Sequence, residues 1–257
     1  MFRLRQIAGV ASELAPVEEE IIDLLGVAVC YRDPGVGYFG LENALFPVGN
    51  QLLEVVAPIQ ENTAGGRYIE RRGGDSGYMV ITQCDDHPEW RSRVEELGVR
   101  IVHDTTREAF INMQLHPRDT GGTFFEIDQM FGEGANDEDG PWHPAGPDWQ
   151  RAKHLERVQG IVAAEIQCDD PEDVAARWCR VKGSPVARIG EAPAMFLDNA
   201  SVRFVPCSDG RPEGLGGIDI AVNDRDAILA AADRRNLRTG DNEVMLCGMR
   251  MNLVDGG

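Results

Sequence analysis

The chain has 257 residues, 42% hydrophobic and 26% charged, a globular balance long enough for one large domain or two small ones. Its formal net charge of −18 repels nucleic-acid phosphate and anionic membrane, so neither is expected as a partner, whereas an anionic small molecule is allowed because a few local Arg override the global field. No apolar run approaches the roughly 20 residues of a membrane span. The start MFRLRQIAGV lacks a secretory signal, and the six Cys form no C-x-x-C; a cytoplasmic protein with reduced thiols and no thiolate zinc is expected.

In chain order, LRQIAGVASELAPVEEEIIDLLGV reads as a strand followed by a helix entered at Pro16. YFGLENALFPVG and NQLLEVVAP follow as strands. RYIERRGGDSG, residues 67–77, carries three Arg and reads as a mobile loop over a cleft or a solvated connector. YMVITQCDDHPEWRSRVEELGV, residues 78–99, runs from an apolar strand into Asp-Asp and then a Pro in the first helical turn, where its missing N–H does no harm. Trp90, Val94 and Leu97 then recur at helical spacing, and Gly98 ends the helix. AFINMQLHP and GGTFFEIDQ are further strands.

FGEGANDEDGPWHPAGPDWQ, residues 131–150, has the Gly, Pro and Asp of a linker, and its two Trp imply that it lies against something. GIVAAEIQCDDPEDVAARWCRVKGSP, residues 160–185, repeats the strand, the QCDD and the Pro, with Val174, Ala175 and Trp178 as an apolar helix stripe. APAMFLDN and ASVRFVP are its strands. GIDIAVNDRDAILAAADRRNL, residues 217–237, is another copy, followed by EVMLCG and MRMNLVD. Each copy reads strand, helix, then two or three strands, and such repetition governs the fold. Residues 1–132 are expected to form one domain of two modules, 133–153 a linker, and 154–257 a second domain of two.

Strand alternation places Phe124, Glu126 and Asp128 on one face, with Thr123, Phe125 and Ile127 on the other. Likewise Leu52, Glu54 and Val56 oppose Leu53, Val55 and Ala57. Each Glu has a bulky apolar residue beside it on its own face, which suits a lined cavity; a satisfied structural Glu is the alternative.

The fourfold β-α-β-β-β pattern resembles the vicinal oxygen chelate superfamily, which includes glyoxalase I, methylmalonyl-CoA epimerase, extradiol dioxygenases and bleomycin-resistance proteins. The segment HPRDTGGTFFEID resembles the HPK-x-x-GG…E stretch of its epimerase branch. The resemblance implies an α+β fold, with four tandem βαβββ modules forming two domains whose curved mixed sheets each enclose a cleft. It implies metal ligands on the first and last strands of each module. Carried over, those positions hold Gln6, Glu54 and Glu126, with Met79 where a His is usual. A thioether suits soft metals and not a hard divalent ion. In the second pair of modules Arg203 and Arg250 occupy the Glu positions, and Ala163 and Gly217 lie near the others, so no metal is expected there; the two Arg are expected to pair with local Asp, the alternative being a bound carboxylate or phosphate.

The resemblance thus implies a lyase, isomerase or epimerase acting on a small carbonyl or carboxylate compound in the N-terminal cleft. One divalent ion (Ni, Co, Mn, Zn or Fe) would polarise the substrate, and Glu126 with Glu54 would move a proton. The alternative is a metal-free binding or sequestering protein of the bleomycin-resistance type. An extradiol dioxygenase would need two His ligands, and no His stands at a ligand position. His116 and Arg118 are expected at the cleft mouth, and Gln83 shares the face of Met79; these three, with Met79, are candidates for substrate contact. Tyr78 points away unless its strand bulges. His87, His103, His143 and His154 are assigned to surface or capping positions. A homodimer is compatible with the resemblance.

Overall fold

The computed structural model describes residues 1–256. All four modules are present. The first runs β1 (Phe2–Val10), α1 (Leu14–Leu25), β2 (Leu41–Val48) and β3 (Gln51–Pro58), followed by α2 (Ala64–Arg72). The second runs β4 (Ser76–Cys84), α3 (His87–Glu96), β5 (Ile101–Thr106), β6 (Phe110–Leu115) and β7 (Phe124–Met130). The third comprises β8 (Val158–Cys168), α4 (Pro171–Lys182), β9 (Ala187–Ile189), β10 (Ala192–Phe196) and β11 (Ser201–Pro206). The fourth comprises β12 (Gly214–Val222), α5 (Arg225–Arg235), β13 (Glu243–Leu246) and β14 (Met249–Asp255).

Each module pairs its first strand in parallel with its last: β1 with β3, β4 with β7, β8 with β11, β12 with β14. First strands of neighbouring modules meet antiparallel, β1 on β4 and β8 on β12. Two seven-stranded mixed sheets result, in the orders β2-β3-β1-β4-β7-β6-β5 and β13-β14-β12-β8-β11-β10-β9. The first and fourth modules have two strands after the helix, and single bridges, Tyr31 to Leu45 and Arg238 to Val244, stand beside their edge strands.

The repeated Asp pair is a helix start. The second Asp of each accepts a hydrogen bond from a backbone N–H three residues on: Asp86 from Glu89 at 3.3 Å, Asp170 from Asp173 at 3.0 Å. Asp224 does the same for Ala227 at 2.9 Å. Such caps satisfy donors that have no partner inside the helix. Leu97 corrects the expected stripe of α3: it is the C-terminal cap and is exposed.

Alternation holds in both Glu-bearing strands. Leu53, Val55, Ala57, Phe125 and Ile127 join the helices in one core. That core is continuous through both halves, taking in α1, α3, α4 and α5. Phe125 of β7 stacks on Trp178 of α4 at 4.0 Å, and the Trp178 indole donates to the Thr120 carbonyl at 3.1 Å. The two Gly of HPRDTGG have a physical reason: both have positive φ, and a Cβ on Gly122 would meet the Glu213 carbonyl oxygen at 2.2 Å.

One segment differs from the sequence reading. Residues 67–72, expected as part of a mobile loop or connector, belong to α2 (Ala64–Arg72), capped by the Thr63 hydroxyl, with Arg72 buried and hydrogen-bonded to the Pro212 carbonyl. The segment after β7 is a strap laid across the first sheet, with Trp142 and Trp149 both buried. Arg5 fixes it, lying 5.4 Å from the Trp142 ring and 5.1 Å from the Trp149 ring while donating to the Gly140 carbonyl. No helix among the described residues is long and apolar enough to cross a membrane.

Candidate active site

A cavity of about 540 Å³ opens on the face of the first sheet opposite the helices. Gln6, Glu54, Met79, Glu126 and His116 all reach its wall. Two β-bulges decide which side chains do. At Arg5 the β1–β4 register slips, so Gln6 faces inward after Arg5. At Tyr78 the register slips again, and both Tyr78 and Met79 face the cavity. Gln83 and Arg118 do not line it. The Gln83 amide is fully buried, accepting from Arg3 at 2.9 Å and donating to the Ala135 carbonyl at 2.7 Å, so it anchors the strap. Arg118 is exposed on the turn, where its backbone N–H donates to the His116 ring.

Glu54 is held by two amides whose orientations are fixed. The Trp142 indole donates to Gln6 Oε1 at 2.8 Å, and an indole can only donate. The Gln6 N–H₂ therefore points to Glu54 Oε2, at 2.7 Å. Asn43 accepts from the Asp33 backbone N–H at 2.8 Å and so turns its N–H₂ to Glu54 Oε1, at 2.5 Å. These bonds favour the carboxylate, but burial dominates, helped by the charge of Glu126, and pushes the Glu54 carboxyl up to about 7.

Glu126 is arranged differently. Its Oε1 accepts from Asn112 at 3.0 Å, while Oε2 is buried without a partner. Burial raises its pKa against the hydrogen bonds of Asn112, Asp128 and Gln114. Asp128, two residues on and on the same face, is fully buried with both oxygens unpartnered. Burial and then the Glu126 charge hold the Asp128 carboxyl well above its usual range. One proton between the two carboxyls avoids two adjacent buried charges.

The residues do not fit a hard divalent ion. Gln6 would have to offer its carbonyl oxygen, which the Trp142 indole occupies. Both Glu54 oxygens already accept from amides, and the fourth corner is the Met79 thioether. Among the described residues no three His, Cys, Asp or Glu side chains converge as a metal site.

Several wall residues carried no usable sequence signal. His103 and His143, expected at surface or capping positions, both line the cavity, as does Arg107; Arg67, from the three-Arg segment expected over a cleft or as a connector, lines it too. Trp142 sits in a stretch without periodicity. Asn43 could have been found, lying between Leu41 and Leu45 on the inward face of its strand, and Asn112 has Phe110 beside it on its own face. His87, read as surface or capping, is the first residue of α3 and is buried with both ring nitrogens unpartnered, which pulls its pKa down to about 4.

The second sheet closes its corresponding face with ion pairs. Arg203 donates to Asp219 at 2.8 Å and to Glu165 at 3.4 Å, and Arg250 donates to Glu165 at 2.7 Å. Asn252 adds a bond to Asp219 at 2.9 Å. The two Arg at the expected ligand positions are thus partnered by acids on β8 and β12 that the sequence reading did not single out.

No protein-family model and no curated protein matches the chain. Solved structures do. A hypothetical protein from Staphylococcus aureus superposes over 99% of this chain and 100% of its own, with TM-score 0.66 at 10% identity. A hypothetical protein from Bacillus halodurans covers 52% of this chain and 99% of its own, at 18% identity and TM-score 0.46. Methylmalonyl-CoA epimerase from Mycobacterium tuberculosis covers 51% and 89%, at 20% identity and TM-score 0.45. The whole-chain superposition shows a shared fold, with the four modules in tandem along the chain.

Proposed function

We propose that the N-terminal cavity binds a small carbonyl or carboxylate compound and that Glu126 moves a proton on it, in a reaction of the lyase, isomerase or epimerase class that uses no metal ion. The observation that carries this is Glu126 itself: a buried carboxyl in the wall of a cavity large enough for a small molecule, with a second buried carboxyl, Asp128, beside it. Asn112 donates to Oε1 at 3.0 Å and so restrains the carboxyl in one orientation. A carboxyl out of water with a raised pKa is a stronger base once ionised, and burial supplies that shift. Glu54, with a carboxyl at about 7, carries either charge state near neutrality and is placed to return a proton from its own side of the cavity.

A second reading rests on a specific observation. Both Glu54 oxygens are already occupied by amides, as in a structural carboxylate, and much of the remaining wall is apolar. A binding or sequestering protein would have this form. Hydrogen exchange separates the two. Small 2-oxo acids and other carbonyl acids are incubated with the protein in D₂O, and loss of the C–H signal next to the carbonyl is followed by NMR. The proposal expects catalysed exchange that falls by roughly 10²- to 10⁴-fold in Glu126→Gln, the usual contribution of a positioned acid or base. Ligands that bind without exchanging favour the binding reading.

A further inference from the structure

We infer that the β5–β6 flank of this cavity is a subsite for an anionic oxygen head group, carboxylate or phosphate. The ligand is then an amphipathic small acid whose apolar body lies on the opposite wall. This rests on the cavity being the ligand site, as proposed above, and not on Glu126 moving a proton.

The cavity wall is divided by chemistry. On β5 the side chains alternate, so His103 and Thr105 share the inward face, and Arg107 continues it just past the strand. Register places Gln114 beside His103 and Asn112 beside Thr105. Across from this polar flank the wall is Leu41, Val56, Met79, Ile81 and Phe124. A ligand matching both sides has a polar end and an apolar end.

The charge on the polar flank is positive. Arg107 from the β5–β6 turn and Arg67 from α2 both reach the mouth. The chain has 43 Asp and Glu against 25 Lys and Arg, and many of its Arg are paired with a carboxylate, though several of the described ones, such as Arg5 and Arg118, are not. Among the described residues neither Arg67 nor Arg107 has one. Arg67 donates to the Asn62 carbonyl at 2.6 Å, and Arg107 to the His143 ring at 2.9 Å. Asp33 also reaches the mouth, but its Oδ1 accepts from the Gly35 N–H at 2.8 Å.

The Arg107–His143 contact defines a donor pair. A guanidinium only donates, so His143 Nε2 accepts, and the imidazole carries its own N–H on Nδ1. Burial, then the charge of Arg107, lowers the His143 pKa and keeps the ring in this neutral form. The stack of Phe110 on His143, with centroids 5.0 Å apart, fixes the ring. Remaining N–H groups of Arg107 are open to a planar or tetrahedral oxyanion, the arrangement in which guanidinium recognition is strongest. The local positive edge is what admits an anion to a protein of net charge −18.

Three ring-matched probes test this by calorimetry: phenylacetate, phenyl phosphate and the neutral phenylacetamide, on the full chain. At least one anion is expected to bind roughly tenfold or more tightly than the amide, the scale of one charge-assisted hydrogen bond. Which anion is favoured identifies the head group. Arg107→Gln is expected to erase that preference and leave amide binding unchanged; Arg107→Lys is expected to keep part of it. Arg67→Gln, on a different element, gives a second reading. Glu126→Gln is expected to keep the preference, so a failure of proton transfer would leave this inference standing. Equal binding of amide and anions, no binding of either anion at millimolar concentration, or a preference that survives both Arg107→Gln and Arg67→Gln would overturn it.

Discussion

Glu54 shows how burial and hydrogen bonding compete at one residue. Two amide donors favour its charge, yet desolvation prevails and the carboxyl sits at about 7 instead of 4.5. A carboxyl raised in the folded state binds its proton more tightly there than in the unfolded chain. Its contribution to stability is therefore full below about pH 4.5 and is lost as pH rises through about 7. The separation corresponds to on the order of 3 kcal/mol. Glu54→Gln cannot ionise, so denaturant melts should show it gaining on the parent protein between pH 5 and 8 by about 1–3 kcal/mol. Equal pH slopes for the two proteins would contradict the assignment. Trp142 gives a second prediction at this scale. Trp142→Phe keeps an aromatic ring beside Arg5 but leaves Gln6 Oε1 buried and unbonded, which should cost about 1–3 kcal/mol in chemical denaturation. Among single residues, Glu54 and Glu126 were legible from alternation because each has a bulky apolar residue beside it on its own face. Arg107 and His143 were not, because exposed charge on an edge strand and polar residues in a Pro-rich segment are ordinary on any surface.

At the scale of elements, legibility followed periodicity. Three of the strand–helix starts stood out because an Asp cap, followed in two of them by an early Pro, recurs at the same place before an apolar stripe. Helix α2 was missed because its sequence AGGRYIERR buries only Gly65, Tyr68 and Arg72, and an Arg is not read as a core residue. The β1 and β4 bulges are also silent in sequence, since one slipped residue shifts the inward face without changing composition. That slip is why Tyr78 faces the cavity, and an unbulged strand would have turned it away. Arg203 and Arg250 show the reverse: their positions on β11 and β14 were read correctly, while their partners Glu165 and Asp219 went unnoticed on neighbouring strands. Arg250→Ala should leave Glu165 with the longer Arg203 contact alone and lower stability by about 1–3 kcal/mol, seen as a reduced denaturation midpoint with an unchanged cavity. A loss within error would mean the network is surface decoration.

The two sheets belong to one molecule more tightly than two tandem domains need. Phe125 and Trp178 stack across the halves, Asn199 exchanges hydrogen bonds with both backbone groups of Leu4, and α1 meets α5 through Asp23 and Arg235. We propose that residues 1–132 and 154–257 are not independent folding units despite their separate sheets. Phe125→Ala should cost about 3–5 kcal/mol and still give one cooperative transition, and each half expressed alone should fail to show a sigmoidal melt. Two separate transitions, or a half that folds alone, would contradict this. We propose that the first cleft of this tandem fold uses its own carboxyls and not an ion, because Trp142 and Asn43 hydrogen-bond to the groups an ion would need. Calorimetric titration of the metal-stripped protein with Zn²⁺, Ni²⁺, Co²⁺ and Mn²⁺, beside Glu126→Gln and Glu54→Gln, tests it most directly. The account predicts no stoichiometric site that either substitution removes. One ion per chain, bound tightly by the parent protein and lost in both variants, would contradict it.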